Sequence, residues 1–296
     1  MELGETGISP VLKNFYVRRT LRIFPIYYIT ISLLWSISEV TGTTIRSAFI
    51  YFATYTSNFY FFIIQRYDGM ISHLWSLAVE EQFYLIWPWL ILLVKRKYLL
   101  PVILAFILTG ILSQLLLSSI KMSNILTFTC FDAFGIGGFL AWTVTYVPQK
   151  LKNNFTWLTV AAGICLILLF IGISQNRYIF LPLRTLVSVI TAWIISYILI
   201  YKDSPNFNFK FILNNRILIF LGKISYGLYL YHNIIPGTLN AKVVNKYLNP
   251  LLPDLLYKKY WGQLFLFENA LLLLIISWLS YTLIERRFLR LKKYFQ

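Results

Sequence analysis

The sequence predicts an all-α, polytopic transmembrane helix bundle with about eight crossings, and three observations carry that reading. Hydrophobic residues make up 58% of the 296 and charged residues only 13%, about half the charge of a soluble domain. Apolar stretches of roughly 17–25 residues, the length a helix needs to cross a bilayer, recur along the whole chain. The 27 Lys and Arg far outnumber the 11 Asp and Glu, yet they gather in short clusters between apolar runs, as juxtamembrane charges do. The first two observations exclude a disordered chain, a collagen-like fibre and an ordinary soluble enzyme. The third assigns the net charge of +16 to membrane flanks rather than to nucleic acid.

The first expected span, 23–40, follows the basic cluster Arg18, Arg19 and Arg22. The residues before that cluster include Glu2, Glu5 and Lys13 and no apolar core of signal-peptide length, so this span is read as an uncleaved anchor. Segment 45–64 (IRSAFIYFATYTSNFYFFII) is aromatic and rich in Ser, Thr and Asn; it either crosses or re-enters. Span 75–94 stops at Lys95, Arg96 and Lys97, and span 98–117 follows directly. Span 127–147 carries Asp132 and then Gly135, Gly137 and Gly138, small residues that suit close helix packing better than a phosphate cradle. Spans 156–174 and 180–201 come next, the second with Arg184 near its start and Lys202 after its end. Beyond a polar stretch, 202–217, lies span 218–237 with His232 near its close. The segment 238–262, with Pro250 and Pro253, is read as an external loop, and span 263–284 runs into Arg286 and Arg287. The distribution of basic residues favours a 45–64 segment that does not cross, with both termini cytoplasmic. No repeat or linker marks a second domain, so residues 1–296 are read as one membrane domain with no soluble part.

A charged side chain at the bilayer centre costs about 2.5–3.5 kcal/mol on insertion scales, so such groups face a protein interior or a wet cavity. Under the topology above, His73, Glu80, Glu81, Asp132, Arg184 and His232 all map to the outer half of the membrane. His73 lies seven and eight positions before the two glutamates, which puts each His–Glu pair on one helical face to within about 20–80°, although Glu80 and Glu81, about 100° apart, cannot both point equally into one cavity. Either these groups tie helices together, with a glutamate pairing with Arg184, or they line a polar cavity. Cys130 and Cys165 sit in apolar runs without Cys or His partners at ligand spacing; neither a disulfide scaffold nor a metal centre is expected.

Four segments occur in an order that is far more specific than any of these spacings. The longest is His73-Leu-Trp-Ser-Leu-Ala-Val-Glu-Glu-Gln-Phe-Tyr-Leu-Ile-Trp-Pro88. The others are Phe15-Tyr-Val-Arg-Arg-Thr-Leu-Arg-Ile-Phe-Pro25, Cys130-Phe-Asp-Ala-Phe-Gly-Ile-Gly-Gly-Phe-Leu-Ala141, and Leu221-Gly-Lys-Ile-Ser-Tyr-Gly-Leu-Tyr-Leu-Tyr-His232 with a terminal Ile284-Glu-Arg-Arg287. Together they resemble the acyltransferase-3 family of integral membrane acyltransferases, the O-acetylase type that modifies bacterial surface glycans. The resemblance runs over about residues 13–290. Family members begin with two further helices that include an Arg/His pair; nothing resembling them precedes residue 13, so the chain is expected to lack that part of the family domain.

The resemblance implies transfer of an acyl group, commonly acetyl from acetyl-CoA, to a carbohydrate hydroxyl of a cell-surface or exopolysaccharide. Such chemistry needs a base for the hydroxyl proton, a donor for the tetrahedral oxyanion and cations for the phosphates of coenzyme A. It implies His73, Glu80, Glu81 and His232 as catalytic candidates. Arg18, Arg19 and Arg22, with Asp132 and Arg184, are the candidates for binding acyl-CoA or substrate, and no metal or resident cofactor is expected. The expected setting is a bacterial plasma membrane. Two other readings stand beside this one: an inactive fragment of such an enzyme, and a transporter of a lipid-linked sugar, which buried charges also suit.

Overall fold

The computed structural model describes residues 8–174, 182–204, 210–249 and 254–295, and among them every regular element is helical. The α-helices in chain order are α1 Ile8–Ser36, α2 Ser38–Thr41, α3 Phe49–Ala53, α4 Ser57–Ile64, α5 Leu74–Leu93, α6 Arg96–Leu116 and α7 Phe131–Tyr146. They continue with α8 Pro148–Asn153, α9 Phe155–Ser174, α10 Leu183–Tyr201, α11 Lys210–Leu213, α12 Arg216–Tyr231, α13 Asp254–Ser280 and α14 Arg286–Leu291. Two segments, Pro236–Leu248 and Tyr281–Glu285, are π-wound.

Five helical stretches among the described residues are long and apolar enough to cross a membrane: Arg96–Leu116, Thr127–Tyr146, Phe155–Gly172, Leu183–Tyr201 and Trp261–Tyr294. Large apolar side chains stand on the outside of these helices, Leu116 at 78% and Phe170 at 74% exposure, which is the surface of a chain solvated by lipid rather than water. The other three expected spans fall on α1, α5 and α12. Segment 45–64 is broken at Thr54–Thr56, with Tyr55 at φ 54, into helices of 5 and 8 residues. Neither reaches the length of a crossing. The expected loop 238–262 is instead helical where described, π-wound to Leu248 and α-helical from Asp254; Pro250 and Pro253 lie outside the described residues. So do residues 205–209 of the polar stretch, the N-terminal Glu2 and Glu5, and the first two positions of the expected span 180–201.

The chain divides into two compact units: residues 1–60, 67–78 and 215–296 in the first, 61–66 and 79–214 in the second. In the first unit, α1 buries Ile23, Ile26, Tyr27, Ile31 and Leu34. Tyr27 and Tyr28 donate their hydroxyls to the Phe52 and Ala53 carbonyls, both at 2.8 Å, at the end of the short α3. Helix α12 packs on α13 at Gly227, where a Cβ would stand 3.1 Å from the Ser277 Cβ. In the second unit, α6 and α7 meet backbone to backbone: a Cβ on Gly110 would lie 2.1 Å from the Asp132 amide nitrogen. Gly135 and Gly138 are filled in the same way by Ile107 and Trp87, so these glycines serve helix packing. Phe83 stacks on Phe134 with ring centroids 3.9 Å apart, and α10 packs against α7 and α9.

Candidate functional site

The first unit gathers two histidines, a tyrosine and a serine at the end of α12. The helix starts cleanly because the Asn215 side chain accepts from the Ile217 and Leu218 amides at 2.8 and 3.4 Å. It buries Ile224, Gly227 and Leu230, and its last turn faces the loop that leads into α5. That loop is turned at Gly69 (φ 42) and held by Asn233, whose amide donates to the Gly69 carbonyl and the Ser72 hydroxyl at 3.1 and 3.2 Å. Tyr229 donates its hydroxyl to the His73 carbonyl at 2.7 Å. The Ser76 hydroxyl, 2.7 Å from the Tyr229 oxygen, therefore donates to it.

A helix C-terminus leaves carbonyls without intrahelical partners, and α12 spends two of them on imidazoles. His73 Nε2 lies 3.1 Å from the Leu230 carbonyl, and His232 Nδ1 lies 2.6 Å from the Tyr229 carbonyl. A carbonyl only accepts, so the proton of each ring is fixed at those atoms and the lone pairs are His73 Nδ1 and His232 Nε2. The rings stand 4.7 Å apart at 66°, with Tyr229 at 5.5 Å from His73 and 5.9 Å from His232. His73, on the residue before α5 and outside the spanning helices, is half-buried; His232 is exposed. Burial, and then the neighbouring His232, bring the His73 pKa down to about 4, against the opposing pull of the Leu230 and Met70 carbonyls. His73 is thus a neutral imidazole at pH 7, beside the exposed ring of His232, whose Nε2 lone pair is the accessible one.

Arg18, Arg19 and Arg22 project from α1 in the same unit, Arg18 and Arg22 one turn apart and exposed. Helix α1 packs against α14 and the turn Lys292–Tyr294, which brings Lys292 into electrostatic range of all three guanidinium groups. Buried Glu285 faces Arg22 and accepts from the Ser280 hydroxyl at 3.1 Å. Ser280 in turn accepts from Tyr231 at 3.2 Å. Tyr226 donates to the Ile23 carbonyl, beside Arg22, at 3.1 Å. His232 is six residues beyond Tyr226, about 9 Å of helical rise. Tyr226 thus ties α1, beside Arg22, to α12 a little under two turns before His232.

The second unit holds the remaining candidates. Asp132, with no exposed surface, accepts from Thr185 at 2.6 Å in the first turn of α7. Gln114 bridges the Gly110 carbonyl and Thr185 at 3.2 and 3.5 Å. Arg184 donates to the Thr129 and Asn124 carbonyls at 2.7 and 2.5 Å, so its guanidinium is engaged by two helical turns rather than by a glutamate. Glu80 and Glu81 are half-buried neighbours on α5, about 100° apart around the helix. No group of three or more His, Cys, Asp or Glu among the described residues is placed to hold a metal.

Of the sequence candidates, the structure brings His73 and His232 together in the first unit and places the three arginines on one helix. Sequence reasoning missed Tyr229, Ser76 and Lys292. Tyr229 sits in a Leu-Tyr-Leu-Tyr run that reads as an aromatic belt, and Lys292 reads as one more cytoplasmic anchor.

A family model described as an acyltransferase domain matches residues 6–285. A Staphylococcus aureus (strain COL) protein provisionally named an O-acetyltransferase is 27% identical to 97% of this chain and 49% of its own length. Peptidoglycan O-acetyltransferase OatA of Listeria monocytogenes is 27% identical to 77% of this chain and 40% of its own length. The chain spans about half the length of the curated relatives it matches. No solved structure matches.

Proposed function

The chain belongs to the acyltransferase-3 family, and from that premise we propose that it is a membrane O-acetyltransferase moving an acetyl group from acetyl-CoA to a hydroxyl of a cell-envelope carbohydrate. The observation that carries this reading is the His73–His232 pair, with its two fixed tautomers and a ring separation of 4.7 Å.

In this reading His232 Nε2, on the exposed ring, takes the proton as the carbohydrate hydroxyl oxygen attacks the thioester carbon. His73 stays neutral beside it and accepts the electrostatic burden of the imidazolium only through its own lone pair and dipole. The tetrahedral intermediate collapses, the carbon–sulfur bond breaks, and the coenzyme A sulfur takes the proton back from His232. Arg18, Arg19 and Arg22 neutralise the donor's phosphates, as guanidinium forks do. The axial separation of about 9 Å between Tyr226 and His232 is within the length of a phosphopantetheine arm. Glu80, Glu81, Asp132 and Arg184 support the reading less directly: Asp132 and Arg184 hold helices and turns in the second unit. The proposed setting is the cell membrane with both termini cytoplasmic, which puts Arg18, Arg19 and Arg22 on the side where acetyl-CoA is made.

The test is transfer of label from radioactive acetyl-CoA to isolated cell-wall glycan by membranes containing the chain. Label in the glycan that is lost in His232→Ala supports the proposal. No label above control membranes overturns it.

A further inference from the structure

Glu268 lies in the apolar stretch Trp261–Tyr294, where an ionisable group is costly, and two amides from another segment converge on it. Asn240 donates to Glu268 Oε2 at 3.0 Å and Asn249 to the same oxygen at 3.4 Å. Asn249 also donates to Asn245 Oδ1 at 2.7 Å. All four residues belong to the first unit.

The winding of Pro236–Leu248 is what makes this convergence. In an α-helix, at about 100° per residue, positions 240 and 249 would point to opposite sides. With i→i+5 bonding, a turn takes a little over four residues, so positions nine apart return to one face. Thirteen π-wound residues are far more than the single-turn bulges in which this geometry is usually seen, and such geometry collects at functional sites. It begins four residues after His232, at the end of the turn that carries the histidine pair.

The cluster is also incomplete. Asn240 has no exposed surface, and with its Nδ2 committed to Glu268, its Oδ1 accepts from nothing. A buried amide oxygen without a donor is a standing cost to the fold. Glu268 is half-buried, so one edge of the cluster reaches the molecular surface. The unpaired Oδ1 calls for a hydrogen-bond donor, and the groups around it are neutral amide and one carboxylate. A hydroxyl group meets both, donating to Oδ1 or to the carboxylate, whereas a phosphate or carboxylate ligand would be repelled by Glu268.

We propose that Asn240, Asn249 and Glu268 form a subsite that binds a hydroxyl of a polyhydroxylated acceptor next to the histidine pair. This rests on the O-acetyltransferase reading above. It adds the place where the acceptor is held.

The experiment measures acetyl transfer in membranes at varied concentrations of isolated cell-wall glycan and, separately, of acetyl-CoA, for the parent chain, Asn240→Ala and Glu268→Gln. The half-saturating glycan concentration is expected to rise about tenfold in Asn240→Ala, the loss of one buried hydrogen bond, and to rise less in Glu268→Gln, which keeps an acceptor for both amides. The half-saturating acetyl-CoA concentration stays unchanged in both. An unchanged glycan concentration in both variants overturns the subsite, as does an equal shift for glycan and acetyl-CoA, which would mean a distorted fold. If Asn240→Ala does not accumulate, Glu268→Gln alone decides by the same criteria. If the parent chain transfers no label to the glycan, the O-acetyltransferase reading fails and the subsite with it; transfer by the parent with unshifted variants overturns the subsite alone.

Discussion

His73 and His232 are clamped through one ring nitrogen each by consecutive main-chain carbonyls, Leu230 and Tyr229, at the end of α12. One helix terminus therefore sets the tautomer of both imidazoles, and no carboxylate is needed to orient either ring. Positioning by backbone has a consequence for mutagenesis: the pair is tilted by changes that move the end of α12 or the main chain of His73.

His232→Ala is expected to lower acetyl transfer by about a hundredfold or more, the usual worth of a positioned base. His73→Ala should lower it too. The double variant should fall little further than the worse single one, since groups that act as a unit are not additive. Initial rates with labelled acetyl-CoA test this; two independent losses that multiply would separate the residues.

The His73 imidazole titrates ordinarily at 6.5 and here at about 4. A lowered pKa means that the folded chain prefers the neutral ring. That contribution to stability is complete above about pH 6.5, shrinks as acid is added and is gone once pH falls through about 4. The unfolding midpoint in detergent should drop more steeply between those values for the parent than for His73→Gln. Parallel curves would contradict it.

Tyr229→Phe removes the bond to the His73 carbonyl and the acceptor for Ser76. It should cost about 1–2 kcal/mol and reduce turnover, because His73 loses its tether. Ser76→Ala leaves the Tyr229–His73 bond in place and should be milder on both counts. Thermal melts and rates on the same preparations give the comparison.

Arg22→Gln and Lys292→Gln should each raise the half-saturating acetyl-CoA concentration severalfold, with a weaker dependence on salt than the parent. Lys292 is the more informative, being on the turn that packs against α1. A Lys292→Gln variant with parental acetyl-CoA dependence would remove it from the donor site.

Gly110→Ala places a methyl 2.1 Å from the Asp132 nitrogen. Both partners are helix backbone, so α6 and α7 must part. Overpacking of this kind costs roughly 1–3 kcal/mol or more, and the variant should accumulate poorly in membranes by immunoblot. Gly163→Ala, with open space around its Cβ, is the control.

The helical architecture was legible because long apolar runs leave few alternatives: each of the eight expected spans falls on a helix. The polar, aromatic composition of 45–64 marked it as a doubtful crossing, but the break at Thr54–Thr56 was not located by it. The winding of Pro236–Leu248 was not legible either, since no periodicity distinguishes a π-helix from a polar loop at this length, and Pro250 and Pro253 argued for a loop. Asn240 and Glu268 were missed for the same reason. Their convergence depends on that winding and on two segments meeting, neither of which is written in local spacing. The motifs named His73 and His232 without saying that their rings meet, while Arg184 turned out to serve the Asn124 and Thr129 carbonyls, a task a loop-bound acceptor group gives no sign of in sequence.

The second π-wound stretch, Tyr281–Glu285, stands between the Ser280 end of α13 and the basic tail. It acts as a phase adjuster. Its wider turn absorbs one surplus residue, so the tail keeps the angle that sets Lys292 against the arginines of α1 and Glu285 against Ser280. Inserting a further residue into the ordinary α-turns of α13 just before it, with no second wide turn to take it up, would swing everything downstream by about 100° relative to the upstream helix.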